Sequence, residues 1–276
     1  MGKARTALIL ALVAVMAVAG VAYASPAPTG GSDQTAANLA AKLDPAAQQQ
    51  AKDKLAELNA IRAQAADLDA QLRTVRQEAA TLQREIRGTQ RDGTQRVRTA
   101  KQEQIQYSQG VVKPLLDHMK LLQTQLREAK KAGNQELVKG LQAQLAAVRE
   151  QLKAKRQEAQ GLGQKLRDLW TGLKAKGETI KTAIAPLKEL RDKTKASMTS
   201  LLEAQKKLAT DRKDAVKAAE DKDSAGALAA LDRAVADAKQ VVAQKTALVE
   251  LEKQAGTILK NAVDALKTQS PSPALS

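Results

Sequence analysis

The sequence predicts an all-α protein in which long helices pack as an elongated antiparallel coiled coil or long-helix bundle. Apolar residues recur at alternating spacings of three and four over two long stretches, 58–86 and 138–208. The composition is dominated by Ala, Leu, Gln, Lys and Arg, which is typical of long helices. The chain also has one Trp, two Tyr and no Phe, although globular cores normally rely on aromatic side chains.

The first 24 residues match the pattern of a secretory signal peptide. Lys3 and Arg5 form a positive head, residues 7–22 are almost entirely apolar, and small residues occupy the first and third places before a cut. We expect cleavage before Ser25. An uncleaved membrane anchor is the alternative, because the apolar run is near the lower limit for a spanning helix. The chain has no Cys, which excludes a disulfide framework and a lipid-bearing Cys.

Residues 25–43 begin with a Pro-, Gly- and Ser-rich stretch and contain few apolar residues, so they predict a disordered leader. Asp44 and Pro45 then suit the N-cap and first turn of a helix. The first seam of this helix has nine apolar positions: Leu58, Ile61, Ala65, Leu68, Leu72, Val75, Ala79, Leu82 and Ile86. Gly88 and Gly93 predict a break or bend after it, since each Gly costs about 1 kcal/mol inside a helix. Gly110 and Pro114 predict a second kink.

Ala132-Gly133-Asn134 is the sharpest turn signal, since Gly suits the left-handed residue after a helix and Asn can cap the next one. The central seam then runs through ten heptads, with only four positions that are not apolar: Lys155, Lys176, Thr194 and Ser197. Pro186 predicts a kink within it. Residues 220–226 predict a polar turn before a last helix. The helical domain is therefore expected at 44–268, and residues 269–276 are expected to form a disordered tail.

Two topologies fit these signals. In the first, residues 46–132 and 134–220 form a long helical hairpin that turns at Gly133, and the last helix covers its open end. In the second, breaks near 90, 133, 175 and 223 separate the helices of a five-helix up-down bundle. We favour the hairpin, because residues that face each other should have position sums near 266. The sums for Gly88 with Gly177 and for Gly93 with Gly172 are both 265, which predicts a shared glycine hinge.

The sequence offers little material for catalysis. His118 is the only His, so neither a multi-His metal site nor a spare base for a nucleophile can be built. Gly161-x-Gly163 lies inside a helical pattern and lacks the strand and the Lys of a phosphate-binding loop. Its expected role is close helix approach. We therefore predict no catalytic, cofactor-binding or metal-ligating residues, no cofactor and no enzymatic activity.

Positive charge is the main clue to a partner. The formal net charge is +15 for the whole chain and +13 after loss of Lys3 and Arg5, which favours anionic partners. Two cation-rich stretches would be neighbours in the hairpin, on either side of Trp170, and could form a polyanion-binding patch. The interpretation that we favour is a solvated face on a basic protein, with Trp170 filling the space around the glycines. The patch residues are Arg84, Arg87, Arg91, Arg96, Arg98, Lys101, Lys165, Arg167, Lys174, Lys176 and Lys181.

In its signal peptide, basic charge and helical arms, the chain resembles periplasmic chaperones with coiled-coil tentacles and the helical N-terminal regions of cell-wall hydrolase regulators. It lacks the strand-rich body of the first and the catalytic domain of the second. The leading hypothesis is an exported, non-enzymatic scaffold or spacer of the bacterial cell envelope. It would associate with itself or a helical partner through its seams and bind anionic polymers, but no specific nucleic-acid sequence. The alternatives are an ATP-independent holdase chaperone and a lipid-surface protein.

Overall fold

The computed structural model describes residues 38–268, and every regular element in this range is helical. The predicted all-α long-helix bundle is therefore confirmed. The predicted signal peptide and the predicted tail at 269–276 lie outside the described residues. The elements are α1 (Pro45–Tyr107), a π-helical segment (Ser108–Val112), α2 (Lys113–Lys131), α3 (Gln135–Ile184), α4 (Leu187–Glu220) and α5 (Ser224–Thr268).

The chain divides into two compact units. The described part of the first, which we call the three-helix unit, comprises residues 38–85 and 181–265. The second, which we call the hairpin unit, comprises residues 86–180 together with 266–268. Each unit is formed by segments whose seam residues face other helices. None of the predicted seam positions in 58–86 or 138–208 is exposed.

The three-helix unit brings together the first part of α1, α4 and α5. α5 runs parallel to α1, because Lys54 pairs with Asp232 and Arg76 Nε lies 3.0 Å from Glu252 Oε1. Small side chains let α5 approach its neighbours closely, since burial on this helix falls mainly on Ala, Val and Leu. The fully buried alanines of the unit's main core cluster include Ala51, Ala215, Ala227, Ala230 and Ala234.

The start of the helical domain differs from the prediction. Residues 38–41 are helical, and Leu39, Ala40 and Leu43 are at most 7% exposed within the main core cluster. The predicted leader boundary at residue 43 is therefore corrected, because residues 38–43 belong to the three-helix unit. Leu39 and Leu43 lie four residues apart, about one helical turn, so a single turn places both in the cluster formed with α4 and α5.

Lys245 is the one buried charged residue among those described, at 5% exposure. Its Nζ lies 2.6 Å from Asp69 Oδ2 and 3.2 Å from the carbonyl oxygen of Ala65. A buried ammonium is tolerated only with such partners, because an unpaired charge in a protein interior is very costly. The contact therefore fixes the axial register of α5 against α1.

The hairpin unit confirms the turn at Gly133. Gly133 has a φ of +69°, and the backbone N–H of Asn134 donates to the carbonyl oxygen of Ala129 at 3.1 Å. Asn134 Oδ1 accepts from the backbone N–H of Leu137 at 3.1 Å, which is the predicted N-cap contact. Beyond the turn, α2 and α3 enclose a small core cluster: Leu122, Ala129, Leu141, Leu145 and Val148.

The glycines predicted to break the helices do not interrupt them. α1 continues through Gly88 and Gly93, and α3 continues through Gly172 and Gly177, so the five-helix alternative is excluded. The predicted register holds, because a Cβ placed on Gly93 would lie 2.8 Å from Leu173 Cδ1. Burial of the surrounding seam outweighs the helix-propensity cost of four isolated glycines. Whether the four act as a hinge stays a prediction.

The helices change course at two other places. Ala185 and Pro186 form a turn that separates α3 from α4, as expected where Pro removes a donor and crowds the preceding turn. Between α1 and α2, the π-helical segment holds Gly110 and is followed by Pro114 in the first turn of α2. The kink predicted there is thus a single wide turn, in keeping with the rule that π-helices occur as one-turn bulges.

Candidate functional site

Positive charge is concentrated in one part of the fold. Residues 86–180 of the hairpin unit contain 19 Lys and Arg against 9 Asp and Glu, a net of +10. The described residues of the three-helix unit contain 23 Lys and Arg against 20 Asp and Glu, a net of +3. The excess charge of the protein is therefore largely a property of the hairpin unit, where most of the predicted patch lies.

In the three-helix unit, six cations form ion pairs that join one helical segment to another. Lys239 Nζ lies 2.7 Å from Glu57 Oε1, and Lys42 Nζ lies 3.6 Å from Glu220 Oε1. The other interhelical pairs there are Lys54–Asp232, Arg76–Glu252, Arg233–Asp211 and Lys245–Asp69. These cations are already neutralised locally, so they offer little attraction to an external anion.

In the hairpin unit, most residues of the predicted patch form no ion pair. Lys165 makes one interhelical pair, with its Nζ 3.9 Å from Glu103 Oε2. Within the described range, no ion pair with a carboxylate is formed by seven other members of the predicted patch: Arg91, Arg96, Arg98, Lys101, Arg167, Lys174 and Lys176. All of these except the half-buried Lys176 are exposed. Their charge is therefore available to an anionic ligand.

The Glu103–Lys165 contact identifies one flank of the hairpin. At 3.6 residues per turn, Asp92 on α1 lies on the same side of its helix as Glu103, and Asp168 on α3 lies on the same side as Lys165. Arg96 also falls on this flank, seven residues before Glu103. We call it the mixed flank, because it carries every acidic residue of α1 between 87 and 105 and of α3 between 160 and 177.

The opposite flank carries only cations over the same ranges, and the next acid on α3, Glu178, lies at the end of this flank, one helical turn after Lys174. Both helices direct their seams toward each other, so residues rotated away from Glu103 on α1 and from Lys165 on α3 share this second flank. We call it the cationic flank. Its members are Arg87, Arg91, Arg98, Lys101, Arg167 and Lys174, together with Trp170. Arg is well suited to such a surface because its planar guanidinium binds phosphate and carboxylate groups in two-point contacts.

The structure thus brings together only part of the predicted patch. Arg96 and Lys165 lie on the mixed flank, and Lys176 is half-buried at a seam position. Arg84 and Lys181 belong to the three-helix unit. The sequence contained a signal for the two flanks, because charges plotted at the helical period place Asp92, Glu103 and Asp168 on one side of the hairpin.

Trp170 does not fill space around the glycines. It is 59% exposed and is the most exposed large apolar residue of the described range, so the interpretation as a packing residue is wrong. Gly172 has no heavy atom within 4 Å of the place where a Cβ would be, which shows that the space beside it is open. An exposed Trp on a surface rich in cations is a potential ligand contact.

A polar network ties α1 to α3 within the hairpin unit. The Tyr107 hydroxyl donates to Glu158, and Lys155 Nζ lies 2.8 Å from Glu158 Oε1. The hydrogen bond from Lys155, followed by that from Tyr107, lowers the pKa of Glu158. Desolvation, together with the Glu158 contact, raises the pKa of Tyr107. The network gives the polar seam position Lys155 a partner and engages the phenol, so Tyr107 is not available as a second aromatic contact.

The three-helix unit contains a cleft of about 490 Å³ between α4 and α5, which the sequence did not indicate. Asp211 and Asp237 meet there, with Arg233 Nε 2.9 Å from Asp211 Oδ1. Desolvation, a hydrogen bond to Asp211 and the charge of Asp211 raise the pKa of Asp237, while Lys207 and Arg233 oppose the rise. The mixed charges of this cleft serve contacts between its own helices.

The described range lacks two features that would indicate other functions. No helix between residues 38 and 268 combines the length and hydropathy of a bilayer-spanning segment. No three acidic or His side chains in that range meet as a potential metal site. Comparisons with protein-family models, curated proteins and solved structures found no significant match.

Proposed function

We propose that this protein is an exported, non-enzymatic helical scaffold of the bacterial cell envelope that binds an anionic polymer through its cationic flank. The observation that carries the proposal is the separation of charge in the hairpin unit. Arg91, Arg98, Lys101, Arg167 and Lys174 are exposed, lack carboxylate partners among the described residues and share a flank whose one acid, Glu178, lies at its end. A polymer bound along this flank would neutralise several cations at once and release its counterions, which gives affinity without a deep pocket.

Binding can be tested with a five-site variant in which Arg91, Arg98, Lys101, Arg167 and Lys174 are each replaced by Gln. The matched control replaces five exposed cations of the three-helix unit that also lack ion pairs: Lys52, Lys188, Arg191, Lys195 and Lys213. Both variants lose the same net charge. With inorganic polyphosphate as the probe, we expect the flank variant to lose about tenfold or more in affinity at low salt, and a shallower salt dependence.

The control variant should lose much less affinity for polyphosphate than the flank variant. Equal losses in the two variants would mean that net charge alone attracts the polymer, and would contradict a site on the flank. Circular dichroism and thermal unfolding of both variants establish that each retains the helical fold, which is expected because all ten side chains are exposed.

Export is the second part of the proposal, and it is supported by the sequence pattern of the first 24 residues. N-terminal sequencing of the protein isolated from its cells is expected to begin at Ser25. A protein that retains Met1 and fractionates with the cytoplasm would contradict export while leaving the polymer-binding test unaffected.

One observation favours holdase activity as a second candidate function. The large apolar side chains exposed in the described range are Ile105, Leu121, Leu137 and Trp170, and all four lie in the hairpin unit. Exposed apolar groups on a basic surface suit transient contacts with unfolded chains. If this is correct, the protein delays aggregation of a reduced client without ATP, and replacing Leu121 and Leu137 by Ser weakens the effect.

A further inference from the structure

Trp170 is the one member of the cationic flank that carries no charge, so attraction of anions does not explain its presence there. It is the only Trp in the chain, and 59% of its surface is exposed. An anionic polymer bound by charge alone would need no aromatic contact. The exposure of Trp170 also excludes a packing role. Trp is the side chain with the largest flat face and is enriched where proteins contact partners. The flank therefore combines two kinds of recognition group.

The neighbours of Trp170 on α3 form a regular line. Gly163, Arg167, Trp170, Lys174 and Gly177 follow one another at spacings of four, three, four and three, which places them along one helix face. A cation thus lies about 5.4 Å, one helical turn, on either side of the indole. The two glycines carry no side chain, and no heavy atom lies within 4 Å of a Cβ placed on Gly177. A ligand lying along the line therefore meets no side chain at Gly177, whereas the side-chain amide of Gln104 lies 3.2 Å from a Cβ placed on Gly163.

Arg167 is held in place without being neutralised. Gln164 Oε1 accepts from Arg167 Nη2 at 2.7 Å and from Nε at 3.2 Å, and Gln164 Nε2 donates to Asp168 Oδ1 at 2.8 Å. Asp168 itself lies on the mixed flank, so the guanidinium is oriented by an amide and keeps its charge. Lys174 forms no ion pair with any described residue. Both cations can therefore bind anionic groups.

We propose, resting on the proposed function, that Arg167, Trp170 and Lys174 form a subsite for an acidic polysaccharide. One sugar ring stacks on the indole through its C–H groups, and the anionic groups of adjacent sugars bind the two cations. The spacing fits, because one helical turn of about 5.4 Å is close to the length of one sugar unit in an extended glycan. A single-stranded nucleic acid fits less well, since its binding proteins stack successive bases on several aromatics. Here the flank has one aromatic.

The test compares three probes on the purified protein: alginate as an acidic polysaccharide, polyphosphate as an anionic polymer without rings, and poly(dT) as a nucleic acid. Alginate is expected to change the fluorescence of Trp170 saturably. By calorimetry, Trp170→Leu should weaken alginate binding about tenfold, as expected for loss of one stacking contact. The variant should bind polyphosphate within about twofold of the parent, while Trp170→Phe should retain most of the alginate affinity.

Leu121→Ala is the matched control, because Leu121 is a similarly exposed apolar residue of the hairpin unit outside the line. It should leave all three affinities unchanged. Equal effects of Trp170→Leu on alginate and polyphosphate, or no effect on either, would overturn the subsite. Tighter and Trp-dependent binding of poly(dT) would overturn the assignment to a polysaccharide. The proposed function fails separately, if polyphosphate binding does not depend on the five cations of the flank.

Discussion

Gly172 and Gly93 lie close together in the hairpin unit but differ in what a methyl group would meet. A Cβ on Gly172 would contact nothing within 4 Å, whereas a Cβ on Gly93 would lie 2.8 Å from Leu173 Cδ1. We predict that Gly172→Ala raises the free energy of unfolding of the hairpin unit by about 1 kcal/mol, through helix propensity. Urea unfolding followed by the fluorescence of Trp170 would measure it.

Gly93→Ala is the natural comparison for that measurement. It gains the same helix propensity, but Leu173 must move to make room, so its gain should be smaller than that of Gly172→Ala or absent. A loss of stability in Gly172→Ala would show that the open space beside this residue is needed by the fold. If the glycines form a hinge, Gly172→Ala should also reduce amide exchange around residues 88–93 and 172–177.

Asp237 provides a pH-dependent prediction. Its pKa is raised above the ordinary 3.8 by desolvation and by Asp211, so the folded state binds the proton more tightly than the unfolded state. The resulting stability is fully present below the unfolded pKa and is lost as pH rises through the raised pKa. Asp237→Asn, which cannot ionise, should therefore raise the melting temperature at pH 7, with a benefit that shrinks as the pH falls toward 4.

Asp214→Asn is a suitable control, because Asp214 is an exposed acid of α4 outside the cleft. It removes the same charge without touching Asp211, Lys207 or Arg233, the groups that face Asp237. A pH-independent benefit of Asp237→Asn would contradict the argument. So would equal pH profiles for the two variants.

At the scale of residues, the sequence predicts the backbone role of a residue better than its burial and its contacts. The sequence predicts Asn134 as a cap and Gly133 as the left-handed residue of the turn, because both roles depend on local backbone geometry. The exposure of Trp170 could not be foreseen, since burial depends on how far the facing helix covers each side chain. The contact between Asp211 and Asp237 was missed for the same reason: the two residues are on different helices, and their distance follows from the crossing of α4 and α5.

At the scale of elements, the π-helical segment Ser108–Val112 absorbs one extra residue in the seam. Partly or fully buried positions on α1 follow the three-four spacing at 93, 97, 100, 104 and 107, and those on α2 follow it at 115, 119, 122, 126 and 129. Eight residues separate 107 from 115, whereas a heptad repeat would require seven. The wide turn accommodates the additional residue, so that both halves keep their apolar sides against α3.

We therefore predict that deleting Gly110 turns the π-segment into regular α-helix and preserves the hairpin with little loss of stability. Deleting Gln125, an exposed residue of α2, is the matched control. It would rotate the following seam residues by about 100°, one residue of a 3.6-residue turn, and pull them out of the core cluster. The control should cost about 3 kcal/mol or more, as for loss of large core side chains. Urea unfolding of both variants would compare them.

Equal destabilisation by the two deletions would show that the π-segment itself is required.

The sequence predicted a kink near Gly110 and Pro114 but not its form, because a one-residue slip in a seam can be absorbed by a π-turn, a loop or a change of partner. By contrast, the hairpin register was predictable. Interruptions at Gly88, Gly93, Gly172 and Gly177 mirror each other about Gly133, and antiparallel packing brings mirrored positions together.

At the scale of the whole molecule, the two units should respond differently to salt. The hairpin unit carries most of the net charge and repels itself, whereas interhelical ion pairs support the three-helix unit. Raising NaCl from about 20 mM to about 500 mM screens both effects. We predict that amide exchange slows in residues 86–180 relative to residues 38–85 and 181–265. A uniform change across the two units would contradict this division of charge.

The parallel pairing of α1 with α5 has a consequence for the order in which the protein is made. The backbone N–H of Asp44 donates to Ser224 Oγ at 3.1 Å, across 180 positions of sequence. Residues 86–180 find their partners within one continuous segment, and such local structures form quickly. As the ribosome releases the chain, the first part of α1 lacks one of its two partner helices until α5 emerges. A nascent chain stopped before residue 224 is therefore the form most exposed to proteases and most dependent on chaperones.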